Sequence, residues 1–405
     1  MRYSLRLIST RSRRTIEEHL ERAGVDPEGV TIMADKAECL VIRVDGVTAA
    51  AANIIKQQLL SIGGDAAVHR DVITGHPPSS TVYIFTDKRR IPVLSERLSY
   101  QPFGLAELSG RIPELVAAAE RPPQSIPLPG GRSLDLSPGP VVMGIINATP
   151  DSFSDGGEFL EPSRAVDRAI EMVEEGAGII DIGGESSRPG SRRPGAEEEL
   201  SRVAPILEGL SGAIDVPISI DTRSARVAEA AVGLGACIIN DISGLSHDPA
   251  MPETAVRSGA AVVVMHMQGT PETMQDDPRY DDAVTEIIGW LAGRTEELIS
   301  AGVPKDKIII DPGIGFGKRL IDNLAIFREM GDFRGLGFPL LVGYSRKSFI
   351  GMLTERKPGE RLWGGLAALG MCLEGGAQIL RVHDVGETID YIKVWKAVAT
   401  KGSGS

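Results

Sequence analysis

Eight short apolar runs, each stopping at a polar residue, constrain the fold of this chain more than any other feature. In order they are Val141–Ile146, Ile179–Ile182, Ile218–Ile220, Cys237–Ile239, Ala261–Met265, Lys307–Ile310, Pro339–Val342 and Gln378–Val382. Runs such as Ile308-Ile309-Ile310 lack the alternation of a half-wet strand and read as strands buried on both faces. Helical stretches separate them: Pro162–Glu175 stops at Gly176, and Asp282–Ala301 stops at Gly302. Strands alternating with helices signal βα units and a parallel sheet. Eight such units in about 260 residues match the size of a (β/α)8 barrel. An open, doubly wound sheet is the rival topology, and the even spacing favours closure.

The polar residues at the run ends are Asn147, Asp181 with Glu185, Asp221, Asn240 with Asp241, His266, Asp311, Ser345 with Arg346, and Arg381 with His383. A barrel carries its catalytic groups at the C-terminal ends of its strands, so these tips are expected to face one cup. Asp221, Asn240 and Asp311 form a set of acceptors and amides. A carboxylate takes two parallel hydrogen bonds from an amino-amidine edge, as it does from arginine. That set suits a flat heterocycle rich in N–H donors. Arg381 and His383, with Asn147 nearby, suit an anion, phosphate or pyrophosphate. Lys347, in Ser-Arg-Lys-Ser after the seventh run, stands where barrels often bind phosphate. Gly315-Phe-Gly-Lys318 lacks the frame of a Walker loop. His266, inside Met-His-Met, reads equally as a packed core residue or as a ligand. Two glycine-rich loops, 148–157 and 183–190, have the composition of a closing lid.

The rest of the chain excludes several classes. A net charge of -12 and 4% aromatic residues argue against a nucleic-acid surface. The three cysteines, Cys39, Cys237 and Cys372, are too scattered for a disulfide framework or a zinc site and suit a reducing cytoplasm. No apolar run reaches the roughly 18 residues of a membrane span. Arg2, Arg6, Arg11, Arg13 and Arg14 only faintly mimic a transit peptide, without its serine richness.

Residues 1–120 read as a separate small α+β domain of unknown role. Strands are expected at Tyr3–Ile8, Val30–Met33, Cys39–Val44, Ala66–Val72 and Thr81–Thr86, and helices at Thr15–Ala23, Val47–Ile62, Ile91–Tyr100 and Leu105–Ala119. Residues 121–138, rich in proline and glycine, read as a linker. The barrel is expected over 139–400, with a flexible Gly-Ser tail at 401–405.

The segments Asn147–Gly157, Gly184–Gly190, Ser219–Thr222, Ile239–Gly244, Met265–Pro271, Asp311–Lys318, Gly343–Ser348 and Arg381–Asp384 together resemble the dihydropteroate synthases, in unbroken order over about 139–400. The resemblance implies a transferase of folate biosynthesis that joins p-aminobenzoate to 6-hydroxymethyl-7,8-dihydropterin pyrophosphate. It implies that Asp221, Asn240, Asp311 and Lys347 hold the pterin, with Met265 and Phe316 lining its pocket. Arg381, His383 and Asn147 would take the pyrophosphate, with Mg2+ beside Asn147. Asp155 would support the cationic centre and the metal, making it catalytic with Lys347, Arg381 and His383. Phe153, Ser187, Arg188, Pro189 and Ser348 would form the aminobenzoate pocket, and a homodimer is implied. Ser187, where many relatives have threonine, and Tyr344, where some have a smaller residue, are departures that bear on sulfonamide sensitivity. A pterin-binding methyltransferase of the corrinoid type is the alternative, sharing the acids without needing an anion clamp. A non-enzymatic pterin-binding scaffold is a further rival.

Overall fold

The protein, as a computed structural model, is described over residues 13–148, 162–185 and 194–399, and it divides into two units, Met1–Ala117 and Ala118–Ser405. The first unit runs Arg13–Arg22 (α1), Pro27–Ala37 (α2), Leu40–Thr48 (β1), Ala49–Ser61 (α3), Asp65–Ala67 (β2), Ser79–Thr86 (β3) and Ile91–Ser99 (α4), then Leu105–Glu120 (α5), which passes into the second. Its three strands form an antiparallel sheet in the order β1-β3-β2. The apolar stripe of α3, with Ala52, Ile55 and Leu59, covers Ile42, Val82 and Ile84 of the sheet.

Two expectations fail here. Val30–Met33 is not a strand but the middle of α2. Asp26 caps that helix by accepting from Gly29 N at 2.9 Å, and Pro27 opens it, so capping overrides the branched residues. Of the stretch expected over Ala66–Val72 only Ala66 and Ala67 pair, within the strand Asp65–Ala67. Tyr3–Ile8 lies outside the described residues.

The second unit opens with a hairpin, Ser125–Pro127 (β4) and Ser133–Asp135 (β5). The barrel strands follow: Val141–Asn147 (β6), Ile179–Gly183 (β7), Ile218–Asp221 (β8), Ile238–Asp241 (β9), Ala261–Met265 (β10), Ile308–Asp311 (β11), Leu341–Gly343 (β12) and Ile379–Val382 (β13). Between and after them come Pro162–Glu175 (α6), Ala196–Leu210 (α7), Ala225–Gly233 (α8), Met251–Ser258 (α9), Ala283–Ser300 (α10), Leu320–Arg328 (α11), Ser348–Thr354 (α12), Leu362–Glu374 (α13) and Val385–Ala399 (α14). The strands pair in parallel in the order β11-β10-β9-β8-β7-β6-β13-β12, and the bridge from Ile310 to Leu340 joins the two ends. Sequential neighbours all the way round exclude the doubly wound rival, whose strand order would reverse.

The period-two alternation of each strand sorts its residues between two cores. Ile146, Ile182, Ile220, Ile239, Val264, Ile310, Val342 and Val382 face the helices. Met143, Ile179, Ile238, Val263, Ile309, Leu341 and Ile379 face the barrel axis, where they meet Ile126, Leu128, Leu134 and Leu136 of the hairpin segment. The stretch expected as a linker is therefore the floor of the barrel, tied by Gln378 Nε2 donating to Pro123 O at 2.7 Å. Its prolines and glycines shape a tight hairpin rather than a spacer. Ile126 is fully buried. We expect Ile126→Ala to cost about 2–5 kcal/mol of barrel stability, read as a lowered urea midpoint; a free linker would leave the midpoint unchanged.

Candidate active site

One step further along the same alternation, the inward residues turn polar. Asp181 follows Ile179, Asp221 follows Ser219, Asn240 follows Ile238, Asp311 follows Ile309 and Arg381 follows Ile379, each two residues on. A polar layer thus lies directly above an apolar one. At its centre Arg381 donates from Nε to Asp181 Oδ2 at 2.6 Å and from Nη2 to Asp221 Oδ2 at 2.7 Å. Asn240 Nδ2 donates to the same Asp181 oxygen at 3.2 Å. Burial pushes the Asp221 carboxyl up to about 7, Asp181 adds to the push, and Arg381 opposes it. Burial works against the Arg381 charge, yet Asp181 and Asp221 hold its pKa above the usual value.

Asp311 accepts from Gly313 N at 2.7 Å. Burial raises its pKa, while Lys347, that N–H, Lys318 and Arg381 pull it back. Lys347 donates to Ile314 O, and its ammonium stands 4.5 Å over the ring of Phe316. Burial pushes Lys347 down to about 8 against the pull of Asp311. Met265, buried, pairs in register with Asp311.

Beside this bowl, His383 Nδ1 lies 3.1 Å from Ser345 Oγ. Asn147 makes no side-chain hydrogen bond to a described residue, and together with His383 and Arg346 it borders a cavity of about 590 Å3 that runs along α6 and α14. Arg346 is held by Asp384, with Nε 3.2 Å from Oδ2. Ser348 is exposed at the start of α12. Phe153, Asp155, Ser187, Arg188 and Pro189 lie outside the described residues.

The structure regroups some of the tips. Arg381, which the sequence sorted with the anion-binding groups, is bonded to both acids. Asp181, a tip without an assigned role, is the acceptor that anchors Arg381 and Asn240. Asp241 faces away from the axis and accepts from Ser243 N at 2.7 Å. His266 is core: it is buried and meets Trp290 edge-on at 5.1 Å. The sequence also missed two arginines at the base of the second loop. Arg202 Nη1 donates to Gly184 O at 2.8 Å, and buried Arg223 pairs with Glu185. Arg202 comes from α7, the helix that follows this loop, and Arg223 from the next βα unit, so only tertiary packing brings them together.

A closed (β/α)8 barrel whose strand tips gather acids, an amide and cations defines the class as a barrel enzyme. Residues 143–383 match the family model described as pterin binding enzyme. The dihydropteroate synthase of Escherichia coli K12 is 46% identical over 267 residues, 66% of this chain and 94% of that protein. The solved dihydropteroate synthase of Xanthomonas albilineans, with 4-aminobenzoic acid, is 43% identical with a TM-score of 0.64, covering 68% of this chain and 99% of that one. The chain belongs to the pterin binding enzymes, and among them to the dihydropteroate synthases. The corrinoid-type alternative gives way to this. A probable bifunctional folylpolyglutamate synthase/dihydropteroate synthase of Halobacterium salinarum is 39% identical over 382 residues, 94% of this chain and 45% of that protein. A match of that extent takes in most of the first unit, which the sequence had left without relatives.

Asp221 should titrate near 7 in carboxyl 13C NMR, and Asp181→Asn should move that titration to lower pH, because one charge opposing ionisation is gone. An unmoved titration would show that Asp181 does not act on Asp221.

Proposed function

We propose that this chain joins 6-hydroxymethyl-7,8-dihydropterin pyrophosphate to p-aminobenzoate, giving 7,8-dihydropteroate and pyrophosphate. The convergence of Asp181, Asp221, Asn240, Asp311, Lys347 and Arg381 on one bowl of a dihydropteroate synthase barrel carries this reading. Asp311, Asn240 and Asp221 accept and donate along the pterin edge, with Lys347 above and Met265 and Phe316 as walls. Arg381, His383 and Asn147 take the pyrophosphate. Phe153, Ser187, Arg188, Pro189 and Ser348 receive the aminobenzoate, and Asp155 supports the cationic centre.

The C–O bond to pyrophosphate breaks with its electron pair on the leaving oxygen. The aromatic amine forms the new C–N bond and releases a proton. Charge develops on both sides of the breaking bond, so fixed dipoles and cations stabilise the transition state more than the ground state. The amine is a weak nucleophile, and positioning replaces activation. Among the described residues no three His, Cys, Asp or Glu side chains cluster to hold a metal. For Mg2+, a hard ion carried largely by substrate phosphates and water, the carboxamide of Asn147 would supply a protein oxygen. When bound, the ion would supply charge for the departing pyrophosphate. No helix among the described residues is long and apolar enough to cross a membrane, the cysteines are free, and we place the reaction in the cytoplasm.

The deciding experiment is a pyrophosphate-release assay on the full chain: release dependent on p-aminobenzoate is expected, and its absence would refute the reading. Asp311→Asn should weaken a pterin analogue by about 100-fold in calorimetry, since one acceptor becomes a donor. Arg381→Ala should lower turnover more than pterin affinity; equal losses would contradict the assigned roles.

Pairing into a homodimer is supported by α11 to α13, which expose Ile321, Met352, Leu353, Trp363 and Met371, with Trp363 78% exposed. Trp363→Glu should shift the chain from dimer to monomer in light scattering. A monomeric parent chain would end the proposal.

A further inference from the structure

Lys318 is a buried lysine to which the proposed reaction assigns no part; burial pushes its pKa well down, and Asp311 pulls it back up. Its side chain turns inward from the glycine loop that follows β11, and the residue is only 4% exposed. Its Nζ lies 2.9 Å from Phe316 O, 3.2 Å from His266 O and 3.0 Å from His266 Nδ1. Three acceptors meet the three N–H groups of an ammonium. Lysine has no lone pair to offer when charged, so the contact with Nδ1 requires that imidazole nitrogen to accept and places the ring proton on Nε2.

The loop is tightly held on both sides of this contact. Gly313 and Gly317 adopt φ +66° and +59°, and a Cβ at either would overlap the backbone of His266 or Gln268. Tyr280 Oη donates to Gly317 O at 2.7 Å, and Gly315 N donates to Asn323 Oδ1 at 2.7 Å. Between these ties stands Phe316, whose ring lies under the Lys347 ammonium. Across the loop, Met265 immediately precedes His266 at the tip of β10.

We propose that Lys318 is a positioning residue for the heterocycle pocket: its ammonium ties the β11 loop to the β10 tip, and so sets Phe316 and Met265 as pocket walls. This rests on the pterin reading above. The ammonium is the donor all three acceptors share, so its loss leaves buried oxygens and a ring nitrogen unpaired, and the loop must shift to hydrate them. Phe316 would move with it and carry Lys347. Of the aminobenzoate side only Ser348, next to Lys347, adjoins this loop, while Phe153, Ser187, Arg188 and Pro189 follow β6 and β7 in the chain, so that side is disturbed less.

The test is Lys318→Met in the full chain, with Asp311→Asn as the control. The Michaelis constant for the pterin pyrophosphate should rise roughly tenfold or more, while that for p-aminobenzoate stays within about twofold. In the unmutated chain, 15N NMR should show His266 protonated on Nε2 alone, and Lys318→Met should abolish that single tautomer. Equal rises in both Michaelis constants, no rise for the pterin, or an Nδ1–H tautomer in the unmutated chain would each overturn the proposal. Retained pterin-analogue binding by Asp311→Asn would instead overturn the pterin reading.

Discussion

A guanidinium shared between two carboxylates holds the upper layer of this barrel together. Arg381 rises from β13, Asp181 from β7 and Asp221 from β8, and one side chain bonds both acids. Asp181 is fully buried, and Arg381 and Asn240 both donate to its Oδ2 there, as a buried carboxyl requires. Removing one partner of such a set leaves an uncompensated charge, which costs far more than a surface pair. The strands that carry these residues are therefore locked in register by the same contacts that shape the site.

The apolar layer below makes this polar layer feasible. The hairpin before β6 closes the barrel from beneath with Ile126, Leu128, Leu134 and Leu136. With water excluded from the floor, the tips above sit in a medium where each charge is felt more strongly. The raised carboxyls of Asp221 and Asp311 and the lowered ammonium of Lys347 share that origin, with burial the largest cause in each.

The cations of the site are not interchangeable. Arg381 offers a planar fork that reaches two acids at once. Lys347 presents a point charge above Phe316, at the start of α12 and open to the bowl. Lys318 is sunk behind the loop and spends its protons on backbone and ring acceptors. Lys347 and Lys318 meet at Phe316, one over its ring and the other at its carbonyl, whereas Arg381 bonds only the acids among these contacts.

Much of this was legible in the linear chain. The eight runs, their period and their polar ends determined the barrel and named the residues that share its rim, because strand alternation and parallel pairing are local consequences of residue type. Capping by Asp26 and Pro27 was equally local, although branched residues masked it in α2. Which tips bond to each other was decided only by tertiary structure. Asp181 and Arg381 are far apart in sequence and adjacent only because the ring closes. The floor hairpin has the composition of a linker, and it becomes core through the apolar surface that the closed strands present. Lys318 likewise reads as an ordinary loop lysine until folding brings His266 against it, since long-range contact, unlike periodicity, leaves no mark on the neighbouring residues.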